Sequence, residues 1–377
     1  MKNPAAESVV SPAPVPLPAR AELPFRLPTR ERVTQVRQRD AQDLRVPRGP
    51  RTQGLTGYDP QYRDIVDYIL RITEEIWVDR AIGRIYDTYD HQCTVYSQYG
   101  VVRSVEEVIA STVATLNGFP DGEAHHVNVA WTGNDRDGFY TSHLGFSRST
   151  NLGRSAYGPA TGKRVSLRFC ADCLSRDNRI HTEWLVRDNG ALVRQLGLDL
   201  QSVAREVAAS PAFESLVVSA PTRLVGQAPR QPLRDVPRDT PDGWARHLFH
   251  DVWNLRRLDR IAEHYAPDVI AHWGGGRVAA GPRNVGALVL QVLTAIPDGV
   301  MRVEHVSWSE EVDGVIVAVR WVLEGSIRRG GVLGDDPPEG RPALMMGMSH
   351  LRLAGRQIVE DWTVFDEVGV LAQAYRG

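Results

Sequence analysis

The chain reads as one unit written twice, which restricts it to folds that a unit of about half its length can complete. Glu183-Trp184-x-x-x-Asp188, followed by Gln195, recurs as Asp361-Trp362-x-x-x-Asp366, followed by Gln373. Upstream, Ile76-Trp77, Arg84-Ile85 and Tyr89 recur as Val252-Trp253, Arg260-Ile261 and Tyr265, each 176 residues on (253 − 77). Phe119-Pro120-Asp121 and Trp131 recur as Ile296-Pro297-Asp298 and Trp308 at 177 (308 − 131), and the terminal motif at 178 (366 − 188). Two single-residue slips over so long a stretch imply the same elements joined by nearly equal loops. A period of this length means duplicated domains, because solenoid repeats run about 20–50 residues.

The 377 residues therefore divide into two domains of roughly 135–150 residues, each large enough for its own core. A net charge of −2 gives no general attraction for nucleic acid or anionic membrane. No apolar run nears the roughly 18 residues that span a bilayer. The opening MKNPAAESVVSPAPVPLPAR lacks the apolar stretch of a secretory signal. The expected partner is a small-molecule substrate, with no nucleic acid and no membrane, in a cytoplasmic setting. Cys93, Cys170 and Cys173 form no disulfide framework. Cys170 and Cys173 fall on a strand, where i and i+3 face opposite sides, and the second copy has Met348 and Leu351 there. A metal clasp is thus not expected, and these are read as buried apolar residues.

Residues 1–55 are rich in Pro and Arg, mildly basic from Arg20 to Arg51, and aperiodic; they read as a disordered tail. Ordered structure is expected from near Tyr62. The first domain covers 56–209, a Pro/Arg-rich linker 210–242, and the second domain 243–377. In each, helical periodicity comes first and strands follow. Strands are predicted at 93–96, 126–132, 138–147, 164–174 and 179–188, then at 269–273, 303–309, 315–327, 343–353 and 357–366. Helices followed by antiparallel strands make an α+β fold: two tandem cone-shaped modules, each a curved antiparallel sheet wrapped around N-terminal helices. Such a cone has an apolar interior open at one end.

The paired Trp-x-x-x-Asp motifs, the Phe/Ile-Pro-Asp turns and the Gly158-Pro159-Ala160-Thr161-Gly162 loop resemble the SnoaL-like polyketide cyclases of the nuclear-transport-factor-2-like superfamily. The resemblance spans roughly 62–200 and 243–377. It implies cofactor-independent chemistry in which an Asp of the last strand acts as general acid/base. By motif match that role falls on Asp188 and Asp366. A Trp and an Asp four apart on a strand share a face, and a carboxylate beside an indole in a dry pocket gains basicity.

Overlaying the copies adds further candidates. Tyr96 matches His272, His143 matches Arg320, and Asp172 matches His350. The first pocket would hold Tyr96, His143, Asp172, Trp184 and Asp188; the second His272, Arg320, His350, Trp362 and Asp366. Asp366 with His350, and Asp188 with Asp172, are the expected catalytic pairs. Tyr96, His143, Trp184, His272, Arg320 and Trp362 are the expected substrate-binding residues. Asp188 has a plainer reading, as a cap for the helix that follows or a partner for Arg187. The expected activity is Asp/His acid–base chemistry on a small, moderately apolar carbonyl compound, by aldol-type cyclisation, isomerisation or hydration. Two alternatives stand beside it: an epoxide hydrolase of the limonene-epoxide-hydrolase type, needing an Asp-Arg-Asp set, and a non-catalytic ligand-binding or assembly module. Association into a homodimer is a further expectation from the superfamily.

Overall fold

The computed structural model describes residues 22–38, 50–216 and 233–376. The rest of the expected tail and linker lies outside the described residues. Helix α1 (Ile65–Thr73) starts where the Asp64 carboxylate accepts from the Val66 and Asp67 amides. It runs into a five-residue π turn, Glu74–Val78. After α2 (Arg84–Thr88) come β1 (Tyr89–Ser97), β2 (Gly100–Val102) and α3 (Val105–Gly118). Strands β3 (Glu123–Asn134), β4 (Gly138–Thr150), β5 (Arg164–Arg176) and β6 (Arg179–Arg187) follow. The predicted helix at 191–208 is two, α4 (Asn189–Leu196) and α5 (Leu200–Ala209). Gly197 closes the first in the left-handed region (φ 73°), and Asp199 caps the second.

The second half repeats this order, with α6 (Pro241–Phe249), a π turn His250–Asn254, α7 (Ile261–His264), β7 (Tyr265–Trp273) and β8 (Arg277–Ala280). It continues with α8 (Pro282–Ala295), β9 (Val300–Glu311), β10 (Gly314–Ser326), β11 (Pro342–Ala354), β12 (Gln357–Phe365) and α9 (Glu367–Arg376). The short strands β2 and β8 escaped the sequence reading, since three or four residues beside glycines carry too little pattern.

Small devices recur with the elements. Arg80 and Arg256 both take left-handed φ (59° and 57°) just after the π turns. Their guanidiniums reach the carbonyls of Pro120 and Pro297, each at 3.0 Å. The next residues, Asp121 and Asp298, accept the amides of Thr150 and Ser326 at 2.6 and 2.7 Å. The repeated Pro-Asp is thus a structural latch between a helix end and the long strands.

All twelve strands form one mixed sheet, in the order β2-β1-β6-β5-β4-β3-β9-β10-β11-β12-β7-β8. Only β1–β6 and β12–β7 run parallel. The halves meet edge to edge through a single residue pair, Trp131 opposite Trp308. At that seam the sheet turns back on itself. One face of each half-sheet covers its own helices, in a core around Trp131, Phe139 and Tyr68 or around Trp253, Trp273 and Trp321. The other faces pack on each other through Leu144, Cys170 and Val186 against Val322, Met346 and Met348.

Residues 22–38 and 50–55, expected to lack order, are packed instead. Leu23 and Phe25 enter the second core, with Phe25 edge-on to Trp244, while Val36 and Leu55 enter the first. Between them Arg30 sits over Trp131 and Trp308, its guanidinium carbon 4.0 and 3.4 Å from the ring centroids, and donates to both residues' carbonyls. A few apolar anchors in a polar stretch leave no period to read. The Arg30→Met substitution keeps the stem and removes the cation. It is expected to lower stability by ~2–4 kcal/mol in urea unfolding, from lost cation–π contact and charged hydrogen bonds.

Candidate active site

The second half encloses a narrow cavity of about 20 Å³, room for a water-sized body, between its helices and strands β7, β11 and β12. Apolar side chains line it: Leu248, Phe249, Val252 and Trp253 from the helical layer, Val285 and Val289 from α8, and Leu351 from the sheet. The carboxylate in this lining is Asp361. One oxygen accepts from the Tyr265 hydroxyl at 3.0 Å and the Trp273 indole at 3.1 Å; the other accepts from the Thr363 hydroxyl at 2.7 Å. A directional chain stands behind Thr363, whose hydroxyl lies 2.7 Å from that of Ser349, which accepts from Trp321 at 3.0 Å. Burial pushes the Asp361 carboxyl up to about 6, and the three donors restrain the rise. It is therefore ionised at neutral pH yet close to the proton affinity that suits a general base.

The first half has the same pair in the same place. Glu183 accepts from Tyr89 at 2.9 Å, and burial raises its carboxyl. Tyr89/Tyr265 and Glu183/Asp361 are both visible as repeats. The sequence reading passed over them because the neighbouring Trp drew attention to the opposite face.

The expected site residues lie elsewhere. Strands β6 and β12 end at Arg187 and Phe365, before the motif aspartates. Asp188 caps α4 through the Ala191 amide and accepts from Gly275 and Gly276 of the other half at 2.7 and 3.3 Å. Asp366 accepts from the Gly369 amide at the start of α9 and from Asn189 at 2.5 Å. Both are buried helix caps at the junction of the halves, not strand residues in a cavity. Capping was the plainer reading of Asp188, while a pairing with Arg187 does not occur.

Trp184, Trp362, Asp172, His350, Tyr96 and His272 face the packed space between the half-sheets. There His272 stacks on Trp362 at 3.9 Å, and Tyr96 on Trp184 at 5.7 Å. Arg320 reaches across to Asp172 at 2.5 Å with its guanidinium over Trp184. The match of His143 with Arg320 slips by one residue. Trp131 pairs with Thr141 and Trp308 with Val317, so His143 corresponds to Val319. One residue of slip exchanges faces, which puts His143 inside its half and Arg320 outside. The Asp366–Arg320 set needed for epoxide opening is therefore not assembled.

His350 takes part in a grouping that resembles a nucleophile triad. Its Nε2 lies 3.0 Å from both the Cys170 thiol and the Ser142 hydroxyl, and its Nδ1 lies 2.5 Å from the Asn128 carbonyl oxygen. Yet burial pushes the Cys170 thiol well up and the His350 imidazole down to about 3, and every member is sealed between the sheets. A protonated thiol without access is not a nucleophile. Cys173 points to the opposite side, into the first core, and both thiols are free and buried.

A mixed α+β half with helices closing over an acidic cavity is the class that fold and site define. Residues 244–374 match the SnoaL-like polyketide cyclase family. Among solved structures, a protein of Jannaschia sp. CCS1, provisionally described as a SnoaL-like polyketide cyclase, is 18% identical over 36% of this chain and 92% of its own, with a TM-score of 0.32. IdmH from Streptomyces antibioticus is 20% identical over 35% and 98%, with a TM-score of 0.31. A Catenulispora acidiphila protein with a ketosteroid isomerase-like fold is 17% identical over 33% and 88%, with a TM-score of 0.28. No curated protein matches the chain. No helix among the described residues is long and apolar enough to cross a membrane.

Burial pushes the Asp366 carboxyl from 3.8 to about 7. Its protonated form therefore stabilises the fold fully below about 4, and that contribution is lost as pH rises through about 7. Asn caps as well as Asp and carries no charge. Urea titrations should show the advantage of Asp366→Asn over wild type growing between pH 4 and 7 and then levelling. Asp366→Ala, which loses the cap, should cost ~1–2 kcal/mol at pH 5.

Proposed function

We propose that the chain is two tandem cone-shaped modules of the SnoaL-like type, and that the second is a cofactor-independent acid–base enzyme with Asp361 as its base. The observation that carries this reading is an ionised carboxylate in an apolar cavity, held by three donors and raised to about 6. The family match over 244–374 supports it. Asp361 takes the proton next to the carbonyl of a small, moderately apolar compound, the step that aldol-type cyclisation and isomerisation share. Tyr265, Trp273 and Thr363 fix the carboxylate so that little reorganisation accompanies the transfer. As it stands the cavity has room for a water-sized body, so admission of substrate requires the helical layer over it to open. The narrowness of the cavity favours a second reading, a non-catalytic module in which Asp361 is a structural anchor.

The two readings separate in one measurement, hydrogen–deuterium exchange at the α-carbon of 2-tetralone in D₂O, followed by NMR. The enzyme should accelerate exchange, with a rate that rises as pH passes through about 6 and then levels. Asp361→Asn should lower the rate by ~10²–10⁴-fold. Asp188→Asn and Asp366→Asn, which keep their caps, should retain it. Equal exchange by wild type and Asp361→Asn would sink the catalytic reading.

A further inference from the structure

The interior of the first half holds a different acid–base arrangement. The Glu74 carboxylate, on the π turn, lies 2.8 Å from Nε2 of His126, and Nδ1 of His126 lies 2.9 Å from Nε2 of His143. The two imidazoles stand 4.9 Å apart. Glu74 and His143 are buried, and the His126 side chain is 8% exposed. The proton positions follow from the carboxylate, which can only accept. His126 carries its hydrogen on Nε2 and accepts at Nδ1, so His143 donates from Nε2. The relay thus presents Nδ1 of His143 as its free lone pair. Burial and the neighbouring His126 hold the His143 imidazole well below its usual range, so it is neutral, and a proton arriving at Nδ1 has to be matched by release of the one on Nε2 towards His126.

The inward residues of the last two strands are less buried in this half than their counterparts in the other. Phe169, Ala171, Leu185 and Arg187 are the inward residues of β5 and β6, and all are only partly buried. Their counterparts 178 residues on are Gly347, Ser349, Thr363 and Phe365, all buried. Where Phe365 fills the second cup, Arg187 stands at the mouth of the first. Its guanidinium lies 5.5 Å from the Trp77 ring, and no carboxylate among the described residues lies within ion-pair distance. Phe169 closes the other wall, edge-on to His143 at 5.4 Å. Arg187 thus forms no close ion pair among the described residues, although its charge lowers the Glu183 carboxyl that burial raises; on aromatic walls it fits an anion with an apolar body.

We propose that the first half is a second ligand site, taking an apolar organic anion of the aryl carboxylate type at Arg187, Trp77 and Phe169, with Glu74–His126–His143 as its proton acceptor. An acidic C–H or O–H of the bound anion gives its proton to Nδ1 of His143. The Nε2 proton of His143 moves to Nδ1 of His126, and the Nε2 proton of His126 moves to Glu74. The ligand keeps the electron pair and one proton ends on the carboxylate, so no oxidant enters the balance.

Long-range ¹H–¹⁵N spectra of the full chain, labelled in histidine, test this with sodium benzoate as the probe. His126 and His143 should both be Nε2–H tautomers, and benzoate should shift their ring nitrogens saturably, with a Kd on the order of 1–10 mM. Arg187→Gln should weaken that titration ~10-fold, Arg187→Lys should retain it within about threefold, and Asp361→Asn should leave it unchanged. An Nδ1–H tautomer at His126 overturns the relay. Absence of shifts, or a wild-type titration in Arg187→Gln, overturns the site.

Discussion

Each half-sheet is covered on both faces, by its own helices on one side and by the other half on the second. Strands under that constraint have no solvent face on which to place polar groups. Alternate residues must therefore satisfy two separate interiors. On β12 the alternation sends Asp361, Thr363 and Phe365 towards the helices, and Trp362 and Val364 towards the other half. The central carboxylates on both sides are paired, although Asp172 Oδ1 and the Trp362 indole N–H are left without a partner among the described residues. Asp361 has three donors, while Asp172 meets Arg320 at 2.5 Å and His305 at 3.5 Å. A buried pair of this kind adds little net stability against an apolar substitute, but an unpaired member costs several kcal/mol. It therefore penalises any other register between the sheets.

How far the sequence could be read follows from the same constraint. Long strands and amphipathic helices declared themselves by period, and the duplicated landmarks placed corresponding elements correctly. The face on which a residue lies was not legible where both faces are buried. Glu183-Trp184 and Asp361-Trp362 are adjacent pairs whose members go to opposite interiors, and hydrophobicity does not say which is the cavity. The His143–Arg320 match failed because the copies run at 176 through the start of β4 and β10, whereas Trp131 and Trp308 run at 177. Only the ladder records that slip. Asp188 and Asp366 looked like strand residues because the strands stop one residue earlier than the pattern suggests. The joint between the halves, including Gly275 and Gly276 against Asp188, lies beyond any local signal.

The two halves differ most in the linings of their interiors. Both keep the tyrosine-held carboxylate and the π turn, a feature often found at functional positions. One then fills its cup with Phe365 and aligns hydroxyls behind the acid. The other has Arg187 at the position of Phe365 and carries two imidazoles on β3 and β4. Two similar scaffolds with unlike linings can hold unlike sites.

Arg30 has a consequence for the order of events during synthesis. One of its two aromatic partners, Trp308, is made 278 residues after it. At about 5–20 residues per second, that is a wait of roughly 14–56 seconds. Through this interval the nascent arm has half a binding site, and the completed first half exposes the sheet face that the second will cover. The seam therefore cannot close before Trp308 is made, and a chain arrested before Trp308 would present that bare face to chaperones or to another copy of itself.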